Sequence, residues 1–137
     1  MEKREAVEQR DAMEAMARQV RAALVSADLS AFSHLLDPDV HWGAPDAVRP
    51  SCMNRDQVLA WYQRGRDSGT RASVSEVVVF GDRLLVGLVV RGNEAAVERG
   101  GAALRWQVLT VRSCRVIDIV AYDDRTDAVA RANVSPV

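Results

Sequence analysis

The side chains able to do chemistry are few and scattered in this 137-residue sequence, which has two histidines, two cysteines and nineteen acidic residues. Cys52 and Cys114 lie far apart and form no C-x-x-C pair, so a reduced, cytoplasmic protein is expected. His34 and His41 are not at metal-binding helix spacing, and so few nitrogen and sulfur ligands leave no expected metal site. Cys52 falls in a loop with no histidine placed beside it, which reads as a small buried residue rather than a nucleophile. The acids near the C-terminal end are of more interest. Asp118 interrupts the apolar run Val116–Ala121, and strand alternation turns it away from Ile117, Ile119 and Ala121. That suits an outward ion pair. Asp123 returns to the side shared by Ile119 and Ala121. Four large rings, Trp42, Trp61, Tyr62 and Trp106, complete the set.

Helices come first along the chain. Met13, Met16, Val20 and Leu24 recur at spacings of three and four, which predicts one apolar stripe on a helix over residues 2–26. Leu29, Phe32, Leu35 and Leu36 repeat the pattern in a shorter helix, with Ser26 or Asp28 as its cap and Pro38 as its end. Residues 39–43 read as a short strand, with Val40 and Trp42 on one face and His41 on the other. Pro45 and Pro50 mark a loop. Asn54 with Gln57 three residues on forms a capping-box signal for a third helix, carrying Val58, Leu59, Trp61 and Tyr62 and stopped by Asp67-Ser68-Gly69.

After residue 72 the pattern becomes extended. Strands are expected over 74–80, 84–90, 104–112 and 116–123, with tight turns at Gly81-Asp82 and Ser113-Cys114-Arg115, a polar loop over 92–101, and a tail helix over 126–132. Leu109, Val111, Val116 and Val120 are assigned to the outer side of this sheet, and Trp106 to the same side as Trp42, with Phe80 beside them. Helices followed by an antiparallel meander imply an α+β fold.

Composition excludes other classes. The chain is 48% hydrophobic and 27% charged, the balance of a soluble globular domain. A formal charge of −1 lacks the basic footprint of a nucleic-acid binder. No apolar run approaches the roughly 18 residues of a membrane span, and the charged start Met1-Glu2-Lys3-Arg4-Glu5 is unlike an export signal. One domain over 1–137 is the expectation.

The order and spacing of these elements resemble the nuclear transport factor 2-like superfamily, in its SnoaL-like (polyketide cyclase and ketosteroid isomerase-like) branch. Asp28-Leu29-Ser30-Ala31-Phe32, Leu36-Asp37-Pro38-Asp39-Val40-His41-Trp42, Asn54-Arg55-Asp56-Gln57-Val58, and the stretch from Val116 to Arg125 carry the resemblance, which spans nearly the whole chain. It is departed from in two places: Ser113-Cys114-Arg115-Val116 replaces the usual Asp-Gly-Lys-Ile, and Asn54 stands where Gly is common.

The resemblance implies a cone-shaped, curved antiparallel or mixed sheet, a half-barrel wrapped around three N-terminal helices with an internal cavity. Fold alone does not give function here, so the cavity residues decide. Carried across, the isomerase base falls on Ala44, its oxyanion donors on Val20 and near Trp106, and the epoxide hydrolase acid on Ala121. All are apolar. The reading is therefore a small-molecule-binding protein with an apolar cavity for an apolar or aromatic metabolite, walled by Trp42, Trp61, Tyr62, Trp106, Ile119 and Ala121. No cofactor is expected. Two alternatives stay open. In one, Asp123 serves as the acid–base residue of a cofactor-free cyclase, isomerase or dehydratase, with a pKa raised by apolar walls; against this stands a strand-end Asp paired with a nearby arginine such as Arg125. In the other, the domain is a non-catalytic assembly module. A homodimer through the outer sheet face is expected in every case, because an exposed apolar patch there is costly.

Overall fold

The computed structural model describes residues 2–92 and 100–133; most of the expected loop over 92–101 lies outside them. Helix α1 (Glu2–Val25) buries Met13, Met16, Val20 and Ala23. Helix α2 (Leu29–Leu35) is capped by Asp28, whose Oδ1 accepts from the Ala31 N–H at 3.0 Å. It ends earlier than its apolar pattern suggests. Leu36 already belongs to strand β1 (Leu36–Gly43), which therefore includes Pro38. Proline is tolerated because β1 is an edge strand and its pairing is irregular between Leu36 and His41. Helix α3 (Arg55–Asp67) starts as expected: the Asn54 side chain accepts from the Gln57 N–H at 2.9 Å. Gln57 returns the bond to the N–H of Met53, one residue outside the cap, at 2.7 Å.

Strands β2 (Arg71–Phe80), β3 (Arg83–Arg91), β4 (Ala103–Arg112) and β5 (Arg115–Tyr122) follow, and helix α4 (Arg125–Ala132) closes the described chain. The sheet has the order β1-β5-β4-β3-β2, antiparallel throughout except for the parallel β1–β5 pair, and it is not closed. It forms the α+β half-barrel. Helices α1 and α3 pack on its concave face, against β2 and β1.

Register decides which residues face those helices. Leu109 lies opposite both Leu84 and Ile119, and all three are fully buried. Gln107 lies opposite Val86 and Ala121. The inward row of β4 is thus Arg105, Gln107, Leu109 and Val111, and Trp106 belongs to the other face. This reverses the sequence expectation for β4, whose apolar residues occupy both faces. A second correction comes from β5. Val111 pairs with Val116 and Thr110 with Asp118, so Ile117 is an extra residue in a bulge. The bulge lets Val116 and Ile119 both enter the main core. Leu109, Val111 and Val116, expected on an outer dimer face, are core residues.

The outer face is partly covered from within. Helix α4 sets Ala128 and Ala132 against Leu85 and Val108, with Val78, Phe80, Trp106, Tyr122 and Val129 packed around them. Phe80 is therefore an outer-face residue, not part of a cavity wall. Arg125 holds the start of α4 through a 2.7 Å contact to Glu76, and Arg83 Nη1 donates to the Arg131 carbonyl at 2.8 Å near its end. Gly87, opposite Trp106, is tightly confined: a Cβ there would lie 2.6 Å from Ser75 Oγ and 3.3 Å from Trp106 Nε1.

This register is tested by paired truncations. Leu109→Ala should lower unfolding stability by about 2–5 kcal/mol, the range for a large-to-small core change. Leu104→Ala, at a residue 49% exposed on the outer face, should change the stability of the monomer by no more than about 0.5 kcal/mol. Urea unfolding of the two variants reads the difference, and the reverse ranking would restore the opposite parity.

Candidate functional site

Where α3 and the α1–α2 turn overhang the open end of the sheet, a cavity of about 830 Å³ lies between them. That is within the size range of small-molecule sites. Trp42 reaches it from β1, Trp61 and Tyr62 from α3, and Phe32 from α2. The rings touch in series. Trp42 and Trp61 are 4.3 Å apart between centroids at an interplanar angle of 35°, Trp61 meets Tyr62 edge-on at 5.2 Å, and Tyr62 meets Phe32 edge-on at 5.5 Å. Leu88 and Val90 supply aliphatic wall from β3, and Ala44 and Ala121 leave room. Offset and edge-to-face pairs of this kind each contribute about 0.5–1.5 kcal/mol beyond the area they bury.

Two polar features interrupt the apolar wall. Gln107, 5% exposed, is the buried polar residue among the described ones. Its side-chain amide lies against the Tyr62 hydroxyl, with Nε2 at 3.1 Å and Oε1 at 3.3 Å. Burial pushes the Tyr62 phenol up to about 12, against a smaller lowering by Gln107. The hydroxyl is therefore protonated throughout the physiological range and is a neutral donor. The second feature is the Trp42 indole N–H, buried and without an acceptor among the described residues. An unmet buried donor costs about 1–3 kcal/mol.

Charge is confined to the rim. Asp123 lines the mouth with its side chain 71% exposed, and it forms an ion pair with Arg105 from the inward row of β4. Its partner is Arg105 and not Arg125, which is engaged by Glu76. Asp124 caps α4, its Oδ1 accepting from the N–H groups of Thr126 and Asp127 at 2.7 and 3.2 Å.

The structure thus brings together Trp42, Trp61, Tyr62, Ala121 and, at the mouth, Asp123. It does not bring in two residues expected there. Trp106 is on the outer face against α4, because β4 has the opposite parity. Ile119 points inward but is sealed in the core below the cavity. Sequence reasoning missed Gln107, Arg105 and the role of Phe32. An amide inside the run Leu104–Leu109 was the available signal for Gln107, but it was useful only once the register was known. Of the positions carried across by resemblance, Ala44 and Ala121 line the cavity, Val20 is buried in the main core, and the inward residue beside Trp106 is the amide of Gln107. His41 and Asp118 are register partners on the outer side. Burial pushes the Asp118 carboxyl up, and Arg131, His41 and Arg83 oppose it. Cys52 is buried and bridged to Trp42 through backbone hydrogen bonds of 2.9 and 3.0 Å, and burial raises its thiol pKa. Among the described residues, no group of three or more His, Cys, Asp or Glu is arranged to hold a metal ion.

This arrangement, a helix-packed half-barrel with a cavity at its open end, defines a class that comparison with known proteins identifies. Residues 16–131 match the SnoaL-like domain model, and the chain belongs to that family. A proposed polyketide cyclase from Xanthomonas campestris pv. campestris superposes with a TM-score of 0.66 at 19% identity, over 90% of this chain and 98% of that one. A proposed ketosteroid isomerase from Kribbella flavida gives 0.65 at 17%, over 81% and 76%. A protein of ketosteroid isomerase-like fold from Catenulispora acidiphila, in complex with trimethylamine, gives 0.59 at 17%, over 88% and 97%. At these identities the likeness is one of fold. The curated proteins contain no match.

The buried phenol makes a pH prediction. Its pKa is raised from 10.0 in the unfolded chain to about 12 in the folded one, so the folded state resists ionisation. Its contribution to stability is complete below pH 10 and is lost as pH rises through about 12. Ultraviolet titration of the folded protein should show Tyr62 ionising near pH 12, and Tyr62→Phe should delete that step. A Tyr62 transition at pH 10 would contradict the buried hydroxyl.

Proposed function

We propose that this SnoaL-like protein binds a small apolar or aromatic molecule in the cavity walled by Trp42, Trp61, Tyr62 and Ala121. The observation that carries this reading is the continuous series of ring contacts from Trp42 to Phe32 along one side of an 830 Å³ cavity. Flat apolar ligands gain there by area burial and by stacking on Trp61, which is 39% exposed. A small molecule in the Catenulispora protein of the same fold is in keeping with this use of the scaffold.

Proton chemistry has less support. A general base or acid needs a carboxylate at the reacting centre with a tuned pKa. Asp123 is at the solvent-exposed rim and is neutralised by Arg105. Its lining position keeps one second reading in play, with Asp123 as the acid–base residue of a cofactor-free cyclase, isomerase or dehydratase.

A homodimer through the outer sheet face belongs to the same proposal, as it would to a non-catalytic assembly module. Its surface is now reduced to what α4 leaves open, with Leu104 exposed and Val120 half-buried. The free thiols of Cys52 and Cys114 suit a reducing compartment such as the cytoplasm. No helix among the described residues is long and apolar enough to cross a membrane.

Binding of a neutral aromatic probe, N-phenyl-1-naphthylamine, tests the pocket. Trp42→Ala and Trp61→Ala should each weaken it about tenfold, the effect of losing about 1.4 kcal/mol of stacking and burial. Trp106→Phe should leave it unchanged. Undiminished affinity in both cavity variants would remove the reading, and turnover lost in Asp123→Asn would favour the second. For the dimer, sedimentation should show a two-fold assembly that Leu104→Asp dissociates. A wild-type monomer at micromolar concentration would end that part of the proposal.

A further inference from the structure

The mouth of the cavity is electrically lopsided. Asp46, which follows β1, and Asp123, Asp124 and Asp127 around the start of α4 line one part of it. Arg64 and Arg66 in the last turn of α3, and Arg71 at the start of β2, line the part beside the α1–α2 turn. None of these three arginines forms an ion pair with a described carboxylate. Asp28, the acid of the α1–α2 turn, is used as the cap of α2.

Two of the three are nonetheless held in place. Arg66 Nη1 donates to the Ala27 carbonyl at 2.9 Å, and Arg71 Nη1 donates to the carbonyls of Arg66 and Thr70 at 3.0 and 2.8 Å. A guanidinium has several N–H donors, so each keeps others to offer a ligand. The backbone beneath them is fixed as well. A Cβ on Gly92 would collide with the Gly69 carbonyl oxygen, so the α3–β2 turn sits directly on the end of β3. Helix capping does not balance this charge. A helix C-terminus carries about half a negative charge, against three guanidinium groups. Like charges gathered without a counter-ion repel, and an anion placed among them relieves the repulsion. The aromatic wall is close by: Arg64 and Arg66 follow Trp61 by about 5 and 8 Å along the helix axis.

We propose that Arg64, Arg66 and Arg71 form an anion-anchoring lip at the mouth, so that the ligand is a flat aromatic body carrying an anionic group on a short arm. The body lies against Trp61 and Trp42 inside the cavity. The anionic group stays at the rim, where water still reaches it and the desolvation cost of burying a charge is avoided. The inference rests on the binding reading above and narrows it to aromatic carboxylates and anions of similar reach. The three arginines are binding residues in this assignment, with no bond made or broken.

Three probes that share one ring and one arm test it by calorimetry: 4-(1-naphthyl)butanoate, its neutral amide, and 4-(1-naphthyl)butylammonium. The wild-type protein should bind the carboxylate about tenfold tighter than the amide, as expected for charge-assisted hydrogen bonds at a partly wet site. The ammonium should bind weakest. Raising salt from about 0.1 M to about 1 M should erase most of the carboxylate preference, because the screening length falls to about 3 Å. Arg64→Gln should cut the preference about threefold, and Arg64→Gln with Arg71→Gln should abolish it, while amide affinity stays within about twofold. Trp61→Ala should weaken all three probes alike. Equal binding of carboxylate and amide by the wild type overturns the proposal and leaves the pocket reading standing. So does tighter binding of the ammonium, which would assign the mouth to its aspartates. A carboxylate preference that survives high salt, or the double substitution, also overturns it. If none of the three probes binds, both this proposal and the pocket reading are wrong. The probe and salt series in the wild type needs no variant to fold.

Discussion

The placement of β4 between β3 and β5 is the constraint on which the rest of this molecule depends. Leu109 faces Leu84 on one side and Ile119 on the other, and none of the three reaches solvent. Strand side chains alternate with a period of two, so fixing Leu109 inward fixes every other residue of the strand. Gln107 and Arg105 then rise toward the open end of the cavity, and Trp106 and Val108 are delivered to the outer face. A slip of one residue would place a tryptophan where the amide now stands. It would also expose the residues that seal the core. The bulge at Ile117 protects this register from the other side, by letting Val116 and Ile119 both point inward despite their odd spacing.

The cavity follows from that placement as a graded environment. Its floor is the sealed core at Ile119. Above this lie aliphatic and aromatic walls, then the neutral pair of Tyr62 and Gln107, and at the mouth the charged pair of Arg105 and Asp123. Charge sits where water can solvate it. The one buried polar side chain among the described residues is matched by a buried hydroxyl. This ordering minimises the cost of keeping polar groups near an apolar space, and it separates what a ligand can be bound by from what it must pass.

The outer face has a different solution. A half-barrel leaves its convex side bare, and here α4 returns to cover the middle of it with small residues, Ala128 and Ala132, set against Leu85 and Val108. Polar ties at both ends of the helix, Arg125 to Glu76 and Arg83 to the Arg131 carbonyl, hold it in place. Small residues allow close approach, and this is also where Gly87 has no room for a Cβ. Part of the apolar surface that would otherwise need a second chain is thus buried by the chain itself.

Much of the architecture was legible from local signals. The helical stripe of α1, the caps Asp28 and Asn54, the hairpin turns and the tail helix depend on residues a few positions apart, and each was read in place or within a few residues. The superfamily resemblance, resting on order and spacing, supplied the half-barrel, and Trp42, Trp61, Tyr62 and Asp123 were picked out by residue type. Strand facing was not legible in β4 and β5. In β4, Leu104, Trp106 and Val108 are apolar on one face and Leu109 and Val111 on the other, so hydrophobic pattern cannot choose between them. In β5 a bulge breaks the count. Only the hydrogen-bonded ladder of neighbouring strands, formed between residues distant in sequence, decided that Gln107 enters the cavity and Trp106 leaves it. The Tyr62–Gln107 contact is non-local for the same reason: each residue is an ordinary one on its own element, and their meeting is a property of how α3 closes over the sheet.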